Sequence, residues 1–133
     1  MDVFEVFSDG ASRGNPGKAA AGFSICKNGT EILAGKKFLG ITTNNFAELS
    51  ALILAMQKCQ ELKITKVNFF LDSQLIVRQI SGEYKIRNVD LKKLFLKFQK
   101  SLSNFTEINF KHIPREKNRR ADQLANQALD ENY

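Results

Sequence analysis

The chain has 133 residues, with 20 Lys and Arg against 14 Asp and Glu and a formal net charge of +6. That length suits one domain, residues 1–133, able to bury a sizeable core without disulfide staples. A content of 43% hydrophobic and 26% charged residues excludes a disordered or low-complexity chain. The basic balance points to a polyanionic partner; charge alone leaves nucleic acid, an anionic membrane surface and plain solubility open.

In chain order, Val3 to Phe7 reads as a strand. Gly10, Gly14, Asn15, Pro16 and Gly17 read as the loop after it. Gly22 to Lys27 and Ile32 to Leu39 form two further strands joined through Asn28-Gly29, a strong hairpin signal. From about Asn45 the period becomes helical, and Ala51 to Met56 is apolar nearly all round, as in a helix covered on most sides. Val67 to Leu71 is the clearest buried strand. Helical segments follow at Ser73 to Ile80 and Val89 to Leu102, the latter with a stripe of Leu91, Leu94, Phe95 and Phe98. Ile108 to Ile113 reads as the last strand. A final helix from about Asn118 to Leu129 turns Ala121, Leu124, Ala125 and Ala128 inward.

This β-β-β-α-β-α-α-β-α order predicts an α/β fold: an antiparallel meander extended by parallel strands into a mixed sheet flanked by helices. Right-handed crossovers make the strands after the first helix parallel to the first strand. No apolar run approaches the ~18 residues of a membrane span, and Met1 leads into the first strand with no signal sequence. Cys26 and Cys59 lack metal-site spacing and read as buried free thiols in a reducing compartment. A soluble, cytoplasmic protein is expected.

Four acids stand out: Asp9, Glu48, Asp72 and Asp122. Asp9 and Asp72 each close an apolar strand-like run. Asp9 precedes Gly10 and could form a turn, Asp72 could cap the helix that follows, and Asp122 suits the first turn of the last helix, where the dipole favours a negative charge. Glu48 has no such alternative. Its neighbours three, four and seven residues on are Ala51, Leu52 and Ala55, so its carboxylate projects from a buried face and must be paired, hydrogen-bonded or metal-bound.

Ligands of open sheets bind beyond the carboxyl ends of parallel strands, which brings Asp9 and Asp72 together. Two like charges at ~5 Å and an effective dielectric of ~20 repel by roughly 3 kcal/mol, so gathered acids call for cations. All-oxygen ligands select a hard ion, Mg²⁺ or Mn²⁺. In a basic protein such a cluster points to phosphoryl transfer with two ions. No Walker A or dinucleotide fingerprint is present, His112 is the single histidine, and Ser12 lacks a base partner for a hydrolase triad.

The blocks Asp9-Gly10-Ala11-Ser12-Arg13-Gly14-Asn15-Pro16-Gly17, Thr42-Thr43-Asn44-Asn45-Phe46-Ala47-Glu48-Leu49, Asp72-Ser73-Gln74 and Asn118-Arg119-Arg120-Ala121-Asp122-Gln123-Leu124-Ala125 resemble the four signature blocks of type 1 ribonuclease H. They occur in family order over nearly the whole chain. The resemblance implies a ribonuclease H-like fold with a mixed five-stranded sheet. It implies metal-dependent endonucleolytic cleavage of the RNA strand of an RNA–DNA hybrid, leaving 5′-phosphate and 3′-hydroxyl ends. By the same match, Asp9, Glu48, Asp72 and Asp122 ligate two Mg²⁺ ions, with Mn²⁺ as a substitute. Ser12, Asn15, Asn44, Asn45 and Gln74 fall where the family contacts the nucleic-acid backbone or groove, and Thr43 where it holds a DNA phosphate. Turn and cap formation is the alternative for these, with Asn44 or Asn45 as a helix cap. Short polar residues on tight turns suit a reader of shape and 2′-hydroxyls.

Two departures from the common bacterial pattern stand out. Gly82 to Asn88 runs almost directly into the next helix, and the chain has no Trp, so the basic protrusion of bacterial members is absent, as in archaeal and other compact members. Hybrid affinity then rests on other basic residues such as Lys85, Arg87, Lys92 or Lys93, which a solvated face explains equally well. The bacterial accessory histidine has His112 as its ungapped counterpart, yet His112 is in phase with Ile108 and Phe110 and reads as a packed strand residue. Arg115, just past Pro114, is better placed to reach a scissile phosphate, where its help would be electrostatic because a guanidinium is no base at neutral pH. The expected protein is a monomeric nuclease of RNA–DNA hybrids. The rivals are a nuclease that also accepts double-stranded RNA and a non-catalytic hybrid-binding module.

Overall fold

The computed structural model describes residues 2–132. Its strands are β1 (Phe4–Gly14), β2 (Gly17–Lys27), β3 (Thr30–Thr42), β4 (Lys66–Leu71) and β5 (Glu107–His112). Its α-helices are α1 (Asn44–Glu61), α2 (Gln74–Ile80), α3 (Val89–Ser101) and α4 (Arg119–Glu131). The element order matches the expected one. The five strands form one sheet in the order β3-β2-β1-β4-β5, with β1–β2 and β2–β3 antiparallel and β1–β4 and β4–β5 parallel.

The main correction concerns the first strands. β1 does not stop before Asp9 but runs through the glycine-rich segment to Gly14, and β2 starts at Gly17 rather than Gly22. The segment carries no bulky apolar alternation because helices lie too close. A Cβ on Gly10 would stand 2.2 Å from the Ala47 carbonyl carbon of α1, and one on Gly22 would stand 2.4 Å from the Ala121 oxygen of α4. Small residues here are what allow α1 and α4 to press onto the sheet, and they erase the usual strand signature. β3 is likewise longer than expected, at Thr30–Thr42. The Asn28-Gly29 hairpin is as read, with both residues at positive φ.

Successive strand residues face opposite sides, and directly paired residues face the same side. Gly10 therefore marks the α1 face, whereas Asp9 and its β2 partner Gly22 mark the α4 face. The larger core lies on the α1 side, where Val6, Phe69 and Leu71 of the sheet pack with Leu49, Leu52 and Met56 of α1 and with Leu91 and Phe98 of α3. Covered by the sheet on one side and α3 on the other, α1 has no wide polar face. Across the sheet, α4 seats Ala128 and Leu129 against Ala20. Among the described residues no helix is long and apolar enough to cross a membrane.

Candidate active site

The parallel ladder between β1 and β4 ends at Ser8 paired with Leu71. Asp9 is the next residue of β1 and Asp72 the residue just past the end of β4, so they emerge side by side at the carboxyl end of the parallel pair. β4 stops there while β1 continues, which opens a crevice beyond Leu71. α1 closes one wall of it. Thr43 starts this helix by accepting a hydrogen bond from the Phe46 amide at 3.2 Å, and Glu48 follows in the next turn.

One carboxylate oxygen from each of Asp9, Glu48 and Asp72 lies within 4.8 Å of the others. Asp9 is 4% exposed and Glu48 3%. Like charges at that spacing repel by roughly 3 kcal/mol. The acids respond accordingly. Burial, first, and the neighbouring Asp72 and Asp122 push the Asp9 carboxyl up to about 7, against a lowering hydrogen bond from Glu48. Burial and then Asp9 hold Glu48 well above the usual carboxylate range, with the Gly10 backbone opposing.

Glu48 Oε2 is buried without a hydrogen-bond partner among the described residues. A carboxylate oxygen left bare beside two other acids is costly in the free protein. The same donor set, hard oxygens converging from β1, α1 and β4, fits a divalent cation.

Asp122, in the first turn of α4, lines the same cleft but stands outside the tight trio. Its carboxylate is held from its own helix. Asn126, one turn on, donates to the Asp122 backbone oxygen at 3.0 Å and to Oδ1 at 3.2 Å. The cap alternative for Asp72 falls away, because Ser73 accepts from the Ile76 amide at 3.3 Å and starts α2 itself.

The cleft, of about 290 Å³, is lined by the four acids together with Ser12, Arg13, Asn44, Arg115 and Asn126. Of the expected substrate contacts, Ser12 and Asn44 are therefore at the site, while Asn15, Thr43, Asn45 and Gln74 lie outside its lining. Ser12 donates to the Gly14 and Thr42 carbonyls, and Asn15 Oδ1 accepts from the Asn44 amide at 3.0 Å. Both therefore also hold the turn against the start of α1, and Asn15 Nδ2 has no partner among the described residues. The cap of α1 is Thr43, not Asn44 or Asn45. Gln74 is exposed at the start of α2.

Arg115 is in the cleft wall, in a 3₁₀ turn between β5 and α4. His112 ends β5 as the parallel partner of Leu71. The strand placement is as read, but the histidine is exposed rather than packed. As the last residue of the edge strand, it has no further strand beside it to cover the ring. Arg13, Asn118 and Asn126 were not among the sequence candidates. Asn126 had a signal, since residues four apart share a helix face and it follows Asp122 at that spacing.

A mixed sheet of this order, with carboxylates gathered at the end of its central parallel pair, defines a ribonuclease H-like protein. A family model described as reverse transcriptase-like matches residues 7–128. The bifunctional protein Rv2228c of Mycobacterium tuberculosis is 39% identical over 127 residues, 94% of this chain and 35% of the relative. Ribonuclease HI of Halobacterium salinarum is 38% identical over 127 residues, 95% of this chain and 64% of the relative. The solved structure of LC11-RNase H1 in complex with RNA/DNA hybrid superposes with a TM-score of 0.92 at 39% identity, covering 97% of this chain and 98% of that one. The chain belongs to the reverse transcriptase-like family and, within it, to the compact type 1 ribonucleases H. It spans about a third of the length of the mycobacterial relative and 64% of the halobacterial one.

Proposed function

We propose that this protein is an endoribonuclease that hydrolyses the RNA strand of RNA–DNA hybrids, leaving 5′-phosphate and 3′-hydroxyl ends. The observation that carries this reading is the trio of buried Asp9, buried Glu48 and half-buried Asp72 around an unpartnered Glu48 oxygen. It lies in a cleft of a basic protein whose fold is that of an enzyme solved on a hybrid.

Asp9, Glu48, Asp72 and Asp122 would hold a pair of Mg²⁺ ions, with Mn²⁺ as substitute. When bound, such a pair supplies Lewis acidity and charge neutralisation for an in-line displacement at phosphorus. The rest falls to side chains. Ser12 and Asn44 contact the nucleic-acid backbone or groove at the cleft. Asn15 offers its spare Nδ2. Thr43 accepts from its own helix and keeps its hydroxyl hydrogen free to donate to a DNA phosphate. Asn45 and Gln74 contact the strands beyond the cleft. Arg115 stabilises charge on the scissile phosphate. His112, exposed at the end of β5, is left a lesser role. In this reading residues 1–133 act as one monomeric domain in the cytoplasm, where Cys26 and Cys59 stay reduced.

The test is cleavage of end-labelled hybrid, double-stranded RNA and single-stranded RNA with Mg²⁺ or Mn²⁺. Hybrid cleavage that disappears in Asp9→Asn and Asp72→Asn, with hybrid binding retained, supports the proposal. Equal cleavage of double-stranded RNA would widen the substrate class. Tight binding of hybrid without cleavage by the wild-type protein would make it a binding module instead.

A further inference from the structure

Asn118 immediately precedes α4, where an asparagine ordinarily caps the helix. It makes no side-chain cap here. The side chain turns instead into the sheet, where the residue is 1% exposed. Its Nδ2 donates to the Ser8 carbonyl at 2.9 Å and to Asp72 Oδ2 at 2.9 Å, which uses both amide hydrogens. Its Oδ1 is buried and has no partner among the described residues. Two features are therefore given up, the cap and the hydrogen bonding of Oδ1, and both cost stability.

What is gained sits at the carboxylate cluster. The Asp72 bond occupies one oxygen of that carboxylate and so sets which oxygen is turned to the cleft. The Ser8 bond fixes the peptide that leads directly into Asp9. The Asn118 main-chain oxygen accepts the Asp122 amide at 3.2 Å, closing the first turn of α4. One residue thus ties together three acids drawn from three elements: Asp72 directly, Asp9 through its preceding peptide and Asp122 through the helix start. A purely structural residue at this spot could be apolar or could cap α4. A doubly donating amide between a carboxylate and a carbonyl is what the site itself calls for.

We infer that Asn118 is a positioning residue for the metal site, aiming Asp72 and registering α4 against the β1–β4 seam so that the acids are set for divalent-cation binding. This rests on the metal-site reading above. An amide suits the task because it donates to the carboxylate without adding a positive charge that would compete with the cation. Partners held behind ligands in this way alter metal affinity by on the order of 10–100-fold when removed.

The experiment titrates Mg²⁺ or Mn²⁺ alone into the nucleic-acid-free protein by calorimetry, for wild type, Asn118→Ala and Asn118→Asp. Asn118→Asp has nearly the same shape but, when ionised, no hydrogens to donate. Both variants should bind the cation about tenfold or more weakly per folded molecule. Half-maximal hybrid cleavage should need correspondingly more metal, while KM for hybrid at saturating metal stays near wild type. If the variants lose thermal stability but bind the cation as tightly as wild type, Asn118 is only structural and the inference is overturned. If neither variant folds, the wild-type protein decides. The Asn118 side-chain amide resonances should shift with the metal titration and saturate with the affinity measured calorimetrically, and unmoved resonances would overturn the inference. Absence of cation binding to wild type would instead remove the metal-site reading.

Discussion

Replacing Asp9 by asparagine should make the metal-free protein more stable at pH 8 and leave its stability unchanged near pH 4. Burial and neighbouring acids raise the Asp9 carboxyl from its ordinary 3.8 to about 7 in the folded protein. The folded state therefore holds a proton that the unfolded chain releases, and stability falls as pH rises from the unfolded value through the folded one. At ~1.36 kcal/mol per unit, the gap corresponds to about 4 kcal/mol, absent below pH 3.8 and fully developed above pH 7. The amide introduced by Asp9→Asn carries no charge and lacks this penalty. For a domain of 133 residues, about 4 kcal/mol moves Tm by roughly 10–15 °C. Melts of both proteins in chelator at pH 4, 6 and 8 read the effect directly. Saturating Mg²⁺ should close most of the gap at pH 8, since at a hundred times Kd a bound cation stabilises the wild type by ~2.7 kcal/mol and the variant by far less. A stability gap that stays constant from pH 4 to 8, or a variant no more stable than wild type at pH 8 in chelator, would refute the reasoning.

Three further outcomes are expected. Arg115→Ala should slow single-turnover hybrid cleavage more than His112→Ala, because Arg115 lines the cleft and His112 does not; the opposite order would return the accessory role to the histidine. Gly22→Ala should destabilise by ~1–3 kcal/mol in urea unfolding, because its Cβ would stand 2.4 Å from the Ala121 oxygen and 2.6 Å from the Ala125 nitrogen. It should also weaken cation binding, since α4 must shift and Asp122 follows Ala121; unchanged stability would show that the helix yields freely. In a thiol titration Cys26 should react in the native protein and Cys59 only on unfolding, because burial pushes the Cys59 thiol up to about 12 and leaves it fully covered. Equal native rates would contradict the packing of α1.

Much of this protein was written in local chemistry. The Asn28-Gly29 turn, the all-round apolar α1 and the alanine face of α4 were legible because backbone preference and burial act over a few residues. The Glu48 anomaly was legible for the same reason: a carboxylate on a buried helix face needs a partner, whatever the surrounding fold. Parallel alignment of β1 and β4 followed from crossover handedness, and it brought Asp9 beside Asp72 as expected.

Other features depended on what lies across space. β1 and β2 extend through a glycine-rich stretch because α1 and α4 cover their two faces, and no neighbour in sequence announces that. Ser73, not Asp72, starts α2, a choice between adjacent residues that only the cleft's geometry decides. His112 looked packed by its phase, but period-2 alternation cannot say which face of an edge strand has something beside it. Asn118 matched a family block and passed for a helix start. Its task emerges only when residues 110 positions apart meet, at the bond from its amide to the Ser8 carbonyl.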